Sequence, residues 1–462
     1  MIEATLSQIS EAIGGQLVGD DLLVSRVYTD SRDVCDKGLF VALKGPNFDA
    51  HNFLAKVKEQ GGEAAVVEQR SAVDISQIIV KDTRIALGQI AKFNRSRLKA
   101  KFAAITGSNG KTTVKEMLAS ILQNVGETYA TQGNFNNEIG APLTLLQMNE
   151  SHEFGVIELG ANHAGEIDYT ASITQPDVAV INNVAGAHLE GFGDLQGVAR
   201  AKGEIYTQLN ADGVAIVNND DDFAAYWAPR IKQKMIKYSM KGDGDLLAKN
   251  ISLDENLKPS FDLDYMGKSQ RVNLSLAGEH NVNNALSAAG CALALGVSLE
   301  NIAIGLSQAP HVTGRLMIEE LDNGCRLIDD TYNANLDSMR AAINVLASYS
   351  GRRILVVGDM AELGEYGRQS HEEIGQIANQ AKLDALYSCG VLTQFSHSRF
   401  DGEGKHFTNQ NELIKQLKQE ANANTTILCK GSRSAHMERV IQALMDDSET
   451  KNESVASPEG EK

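Results

Sequence analysis

The chain is poor in cysteine. Its 462 residues hold five, Cys35, Cys291, Cys325, Cys389 and Cys429, scattered and without a C-x-x-C pair. An odd, dispersed set of this kind indicates neither a disulfide framework nor a zinc site. Positive charge is also in short supply: Lys+Arg 43 against Asp+Glu 60 leaves a net charge of −17. A surface of that sign argues against nucleic acid or an anionic membrane as partner, while small anionic ligands can still meet favourable local fields. No apolar run is long enough to span a bilayer, and the N-terminus, with Glu3 and Glu11, lacks a basic segment leading into an apolar core. There is no repeat of the solenoid kind. Together these absences predict a cytoplasmic chain in a reducing compartment, without membrane insertion.

Against that background one segment stands out. Ala103, Ala104, Ile105 and Thr106 read as a small-residue strand, followed by Gly107, Ser108, Asn109, Gly110, Lys111, Thr112 and Thr113. A one-sided helix is predicted next, from Val114, Met117, Leu118, Ile121, Leu122 and Val125, with Gly126 expected as its C-cap. Strand, glycine turn, lysine, hydroxyls and helix make a phosphate cradle. Backbone N–H groups and the helix N-terminus face the anion, the lysine adds a point charge, and a hydroxyl can hold Mg²⁺. The chain is therefore expected to bind a nucleoside triphosphate. Only Ser108 and Asn109 separate the two glycines, two fewer residues than the common form of this loop has.

The predicted fold class is α/β, in about three domains for this length. Residues 1–82 read as a small N-terminal α/β module, with β-like runs at 39–43, 64–67 and 78–80 and a helix near 50–60. A central nucleotide-binding domain is expected over 83–313, opening with a linking helix (83–98). Its apolar runs at 155–157, 178–181 and 214–217 alternate with helical segments, the mark of a parallel sheet covered on both faces. Around 241–270 the pattern turns polar and hairpin-like. A second doubly wound, Rossmann-like domain is expected over 314–446, and a disordered acidic tail over 447–462.

Several polar residues fall where the central domain should do its chemistry. Glu158 ends an apolar strand, at the rim where parallel sheets bind ligands; beside a phosphate loop it suits Mg²⁺, and otherwise it would cap a helix. His188 follows another such strand, in a setting where a lone histidine is as often structural. Lys202 reads locally as an exposed helix lysine. Asn281 and Asn284 open an alanine-rich helix as caps or as contacts to a base. Arg315 and Asp330, at the start of the third unit, are singly ordinary ionic residues.

Taken in order, the loop 106–113, Glu158, His188, Lys202, the His280–Asn284 helix start and Arg315 resemble the Mur ligases of peptidoglycan synthesis along nearly the whole chain. More specific signals are Thr29-Asp30-Ser31-Arg32, the 132–140 segment with Asn134 and Asn137, the 329–335 segment, the 358–364 segment and Lys430-Gly431-Ser432-Arg433-Ser434. Leu336 stands where the family often has proline, and Ala50 replaces a common glycine; neither touches the phosphate or metal positions.

The resemblance implies amide-bond synthesis driven by cleavage of ATP to ADP and phosphate, through an acyl phosphate. Within the family it points to the step that joins D-alanyl-D-alanine to UDP-N-acetylmuramoyl-tripeptide, by a chain acting as a monomer. It implies that Lys111 and the loop serve the phosphates, that Thr112 and Glu158 hold one Mg²⁺, and that His188 holds a second. Lys202 would carry a CO₂-derived carbamate and so become a metal ligand. Asn281 would lie near adenine, with Asn284 in the same nucleotide site, while Arg315 and Asp330 close over phosphate and ribose. Ser31 and Arg32 would grip the UDP-sugar, Asn134 and Asn137 would meet substrate, and Lys430 and Arg433 would present the dipeptide. Sibling Mur ligases and folylpolyglutamate synthase are the nearest rivals. A non-enzymatic nucleotide switch would have no use for His188 and Lys202 together.

Overall fold

The computed structural model describes residues 1–455, with side chains to 446. Nine strands form the central sheet, six a C-terminal sheet and five an N-terminal sheet, beside a two-stranded pair of Ala4–Thr5 with Leu23–Val24.

The central sheet is parallel wherever its strands are continuous apolar runs. Lys101–Thr106 lies inside it between Phe154–Glu158 and Val178–Ile181, and Ala103, Ala104, Ile105, Val156, Ile157, Val180 and Ile181 are fully buried. Strands buried on both faces cannot alternate polar and apolar residues, so they read as unbroken runs. Beyond Leu246–Leu253 the strands Pro259–Tyr265 and Lys268–Asn273 turn antiparallel and their outer residues become exposed. The hairpin-like stretch is thus the sheet's edge.

The strand before the glycine turn has its later neighbours on opposite sides. Register sets Ile105 beside Glu158, and Thr106 beside Ile181. Strand order reverses here, and in an open parallel sheet the crevice at the carboxyl ends of such strands takes ligands.

The helix Lys111–Gln123 follows, with Val114, Met117, Leu118, Ile121 and Leu122 fully buried. Its end differs from expectation. The C-cap is Asn124, in right-handed geometry; Val125 is exposed, and Gly126 is not in the left-handed region. A Cβ on Gly126 would lie 2.8 Å from Glu153 Oε1 and from the Phe154 ring. The glycine is there for close approach, not as a left-handed cap.

The N-terminal sheet runs Gln16–Val18, Ser76–Ile79, Ala64–Val67, Gly38–Val41, Arg26–Tyr28, all parallel except the first pair. One side has its own cluster around Tyr28, Phe40 and Val57. The other joins a single apolar cluster with one face of the central sheet, through the helix Thr83–Arg97. Asn94 pins this junction, accepting from the Ile2 N–H at 2.9 Å and donating to Leu145 and Met148 carbonyls.

In the C-terminal sheet Arg326–Asp330, Thr425–Lys430, Arg352–Gly358, Ala385–Cys389 and Glu403–Phe407 are parallel, with Met317–Glu320 antiparallel at one edge. The last helix, Glu438–Val455, extends into the stretch expected to be a tail from 447; the rest of that expectation, 456–462, lies outside the described residues.

Candidate active site

A cavity of about 900 Å³ opens at the carboxyl rim of the central sheet and is closed on its far side by loops of the C-terminal sheet. The phosphate loop forms its floor. Asn182 and Asn183, directly after the strand Val178–Ile181, hold that loop. The Ser108 N–H donates to the Asn183 carbonyl at 2.9 Å, the Asn109 N–H to Asn183 Oδ1 at 2.8 Å, and Asn182 Nδ2 to the Asn109 carbonyl at 2.9 Å. Gly110 turns with φ +77, and a Cβ there would sit 2.4 Å from Asn284 Oδ1, so no other residue fits. Lys111 curls back to donate to the Gly107 carbonyl at 2.8 Å. Burial pushes its pKa down; the Arg315 charge adds to the shift and Glu158 opposes it. Loop N–H groups, a helix N-terminus and this lysine together make an anion site.

Glu158 ends its strand at 2 % exposure. Its N–H donates to Thr131 Oγ1 at 3.0 Å, and its Oε1 accepts from Asn136 Nδ2 at 2.8 Å. Oε2 is buried, with no hydrogen-bond partner among the described residues. It caps no helix. A buried carboxylate oxygen free of protein partners beside a phosphate cradle fits a cation. Among the described residues no group of three or more His, Cys, Asp or Glu could hold a metal. Mg²⁺ commonly takes one or two carboxylates and completes its shell with phosphate oxygens and water, so the donor set suits Mg²⁺ on a nucleotide rather than a metal in an all-protein cage.

His188 adopts left-handed geometry, φ +54, and lines the cavity. Its Nδ1 lies 2.5 Å from Glu362 Oε2 on the C-terminal side, an ion-pair distance without hydrogen-bond angles. Burial lowers its pKa, Glu362 opposes that, and the Lys111 and Lys202 charges add to it.

Lys202 overturns the local reading of an exposed helix lysine. It sits in the helix Leu195–Thr207 at 2 % exposure, behind the cavity wall rather than on it. No carboxylate pairs with it among the described residues. Burial first, and then the Lys111 charge, holds its pKa well below the ordinary lysine range.

From the C-terminal side, Arg315 Nη2 donates to Thr112 Oγ1 at 3.3 Å, and its guanidinium lies 4.4 Å from the Tyr332 ring centroid, while Nε is buried without a partner. Asn335 Nδ2 donates to Asn109 Oδ1 at 2.8 Å. Asp330 lines the cavity, but its Oδ2 accepts from Lys430 Nζ at 2.6 Å, and Lys430 also donates to the Asn333 carbonyl at 2.9 Å. These two expected ligand contacts are thus bound to each other. Asn281 and Asn284 form a chain from the loop: Asn182 Nδ2 donates to Asn284 Oδ1, Asn284 Nδ2 to Asn281 Oδ1, and Asn281 Nδ2 to the Ala277 carbonyl, at 2.7–2.8 Å. His280 lines the cavity too; burial, with Lys430 adding, pushes its pKa down to about 4.

Asn134 and Asn137 also line the cavity; Asn137 Oδ1 caps the start of the helix Gly140–Leu146 by accepting from the Gly140 N–H at 2.9 Å. Ser31, Arg32 and Arg433 do not line it. Arg32 is exposed and paired with Asp30, and Arg433 is exposed, 3.6 Å from Glu438. The sequence reading missed Asn136, Asn182, Asn183 and Glu362. All four lie in or beside segments it singled out. One sequence offers no signal to choose among neighbouring asparagines.

Comparison with known proteins agrees with this arrangement. The Mur ligase middle domain matches residues 105–292, and the Mur ligase glutamate ligase domain matches 314–433. The UDP-N-acetylmuramoyl-tripeptide–D-alanyl-D-alanine ligase of Escherichia coli K12 is 44 % identical over 451 residues, 97 % of this chain and 99 % of that protein. A crystal structure of MurF from Acinetobacter baumannii superposes with a TM-score of 0.91 at 41 % identity, covering 96 % of this chain and 99 % of that one. MurF from Thermotoga maritima, solved in complex with ADP, gives 0.84 at 28 % identity, over 93 % and 99 % of the two chains.

Proposed function

The chain belongs to the Mur ligase family, and from that membership we infer its reaction: ATP-dependent joining of D-alanyl-D-alanine to UDP-N-acetylmuramoyl-tripeptide, in peptidoglycan precursor synthesis. The observation that carries the reading is the convergence on one cavity of an anion cradle, a carboxylate with a bare oxygen and cationic groups from a second sheet.

In the reaction the tripeptide carboxylate attacks the γ-phosphorus of ATP, and ADP leaves. The dipeptide amine then attacks the acyl carbon of the resulting acyl phosphate; phosphate leaves and the nitrogen gives up a proton. Both partners in the first step are anions. Lys111, the loop N–H groups and Arg315 spread positive charge where they meet. Glu158 and Thr112 would hold one Mg²⁺ with the nucleotide phosphates, and His188 with a modified Lys202 a second; such ions supply Lewis-acid charge that offsets the repulsion. Burial favours the neutral form of the Lys202 amine, the form that attacks CO₂: an N–C bond forms, a proton leaves, and the carbamate is an anionic oxygen donor. The buried site also limits access of water to the acyl phosphate.

The helix start at Asn281 and Asn284 is assigned to the adenine side, and Asp330 to the ribose side through the loop it braces. Asn134 and Asn137 are assigned to the peptide side of the cavity. Ser31 and Arg32 are assigned to the UDP end, and Arg433 with Lys430 to the dipeptide side. We place the reaction in the cytoplasm, on a monomer; no described helix is long and apolar enough to cross a membrane.

Phosphate release tests the reading. Release is expected only when ATP, the nucleotide-tripeptide and D-alanyl-D-alanine are all present. Equal release without the dipeptide, or with UDP-muramyl peptides of other lengths, would overturn it.

A further inference from the structure

Glu362 belongs to none of the groups assigned above, yet it makes the closest cross-sheet approach to one of them. It follows the strand Arg352–Gly358, in a loop of the C-terminal sheet. Its Oε2 lies 2.5 Å from Nδ1 of His188, on the central side. Its carbonyl accepts from the Glu190 N–H at 3.4 Å, and Gly364, φ +53, packs its Cα face against Glu190. One loop therefore grips the segment 188–190 through side chain and backbone.

Exposed carboxylates often form pairs of no consequence, and the Glu362 side chain is 50 % exposed. The backbone argues otherwise. Both members of the pair are non-glycine residues in the left-handed region, His188 at φ +54 and Glu362 at φ +61. That geometry is costly for a residue with a Cβ and persists where the surroundings over-determine it, often at functional sites. Here the two unfavourable conformations meet each other across the cavity. The short approach also holds the ring: with Oε2 2.5 Å from Nδ1, the imidazole cannot turn about its ring bond without losing this contact. Ligating histidines are commonly oriented in this way, by a carboxylate on the other ring nitrogen.

We propose that Glu362 is a positioning residue for His188, setting its ring orientation so that this ligand is completed only when the C-terminal sheet lies against the central one. The proposal rests on the reading of His188 as a metal ligand. It differs from a simple latch, because Asn335 and Arg315 already join the two sides at the phosphate loop without touching the imidazole.

Electron paramagnetic resonance of Mn²⁺ bound to the full chain with ADP is the test. The Mn²⁺ lost in a His188→Ala chain defines the site. Glu362→Ala is expected to weaken that same site about 10–100-fold, the usual effect of removing such an orienting group. Glu362→Gln, which keeps the side-chain length and an oxygen beside Nδ1, should keep most of the affinity. Unchanged Mn²⁺ affinity in Glu362→Ala, with the site still lost in His188→Ala, overturns the positioning role alone. An equal loss in Glu362→Ala and Glu362→Gln overturns it as well, since orientation through that oxygen would then not be what matters. If His188→Ala binds Mn²⁺ like the unmodified chain, the metal reading of His188 fails, and the positioning role with it.

Discussion

The central sheet and the C-terminal sheet both bury a lysine near their working rims, each 2 % exposed, and they treat it in opposite ways. Lys430 ends the strand Thr425–Lys430, in register with Asp330 on the neighbouring strand, and its ammonium is met at 2.6 Å by that carboxylate. Lys202 sits in the helix Leu195–Thr207, and no carboxylate pairs with it among the described residues. Burying an ammonium alone costs several kcal/mol, so burial pushes this group toward its neutral form. One rim is built around a charged lysine that ties two strands and a loop together. The other favours the neutral form of an amine, and only a neutral amine is a nucleophile. The difference separates a lysine paired with a carboxylate from one that the proposed mechanism modifies, although burial alone would rank them together.

The largest way to break this contrast is at the phosphate loop, where Lys111 is assigned a third role, to meet phosphate. Lys111→Ala is expected to lower phosphate release by a hundredfold or more, roughly the effect of deleting a preorganised electrostatic donor. Thermal unfolding should stay close to normal. Retained turnover would remove the loop from the mechanism. Lys202→Ala should come next, losing most activity and regaining part of it with short carboxylic acids, which can supply the missing anionic oxygen. Lys202→Arg should not recover, because guanidinium stays positive and cannot take up CO₂. Full activity of the unmodified chain in CO₂-depleted buffer would end the carbamate reading.

Stability sharpens the same comparison. Lys430→Met leaves Asp330 buried without its cation, and breaking such a pair typically costs about 3–5 kcal/mol. Lys202→Met removes an amine that has no carboxylate partner among the described residues. In CO₂-depleted buffer it should be neutral or stabilising, while abolishing turnover. Urea unfolding of both variants reads the difference in sign. A comparable loss of stability in the two would mean that Lys202 has a structural partner after all.

Much of the fold was legible because buried parallel strands announce themselves as unbroken apolar runs, as at Val178–Ile181 and Val214–Asn218. The phosphate loop was legible for a related reason: every residue type in it answers to one local geometry. Three-dimensional neighbours were not. Lys202 looks like any surface lysine on its helix, and only packing buries it. Asp330 and Lys430 are 100 residues apart, so nothing local pairs them. Glu362 meets His188 across two sheets. The helix end at Asn124 was misread because Gly126 suggests a left-handed cap, when its bare Cα serves the close approach of Glu153 and Phe154.

The smallest effect is expected farthest from the cavity. Arg32 is 78 % exposed and paired with Asp30, whose carboxyl is held down to about 2, chiefly by that side-chain hydrogen bond. A carboxyl depressed in the folded chain contributes stability above its ordinary value of 3.8 and loses it as pH falls through about 2. The pair is in water and screened, so Arg32→Ala should leave unfolding at neutral pH nearly unchanged. Asp30 should titrate back toward 3.8, which carboxyl-carbon nuclear magnetic resonance can follow. If the arginine serves the UDP end, freed from Asp30 to make a charge-assisted bond to the nucleotide-sugar, the same substitution raises KM for UDP-N-acetylmuramoyl-tripeptide. KM for ATP and for the dipeptide should hardly move, because neither Ser31 nor Arg32 lines the phosphate-loop cavity. A rise in all three would mean that the N-terminal sheet acts by shifting the whole chain rather than by gripping one substrate. No rise in any of them would return Arg32 to an ordinary surface ion pair.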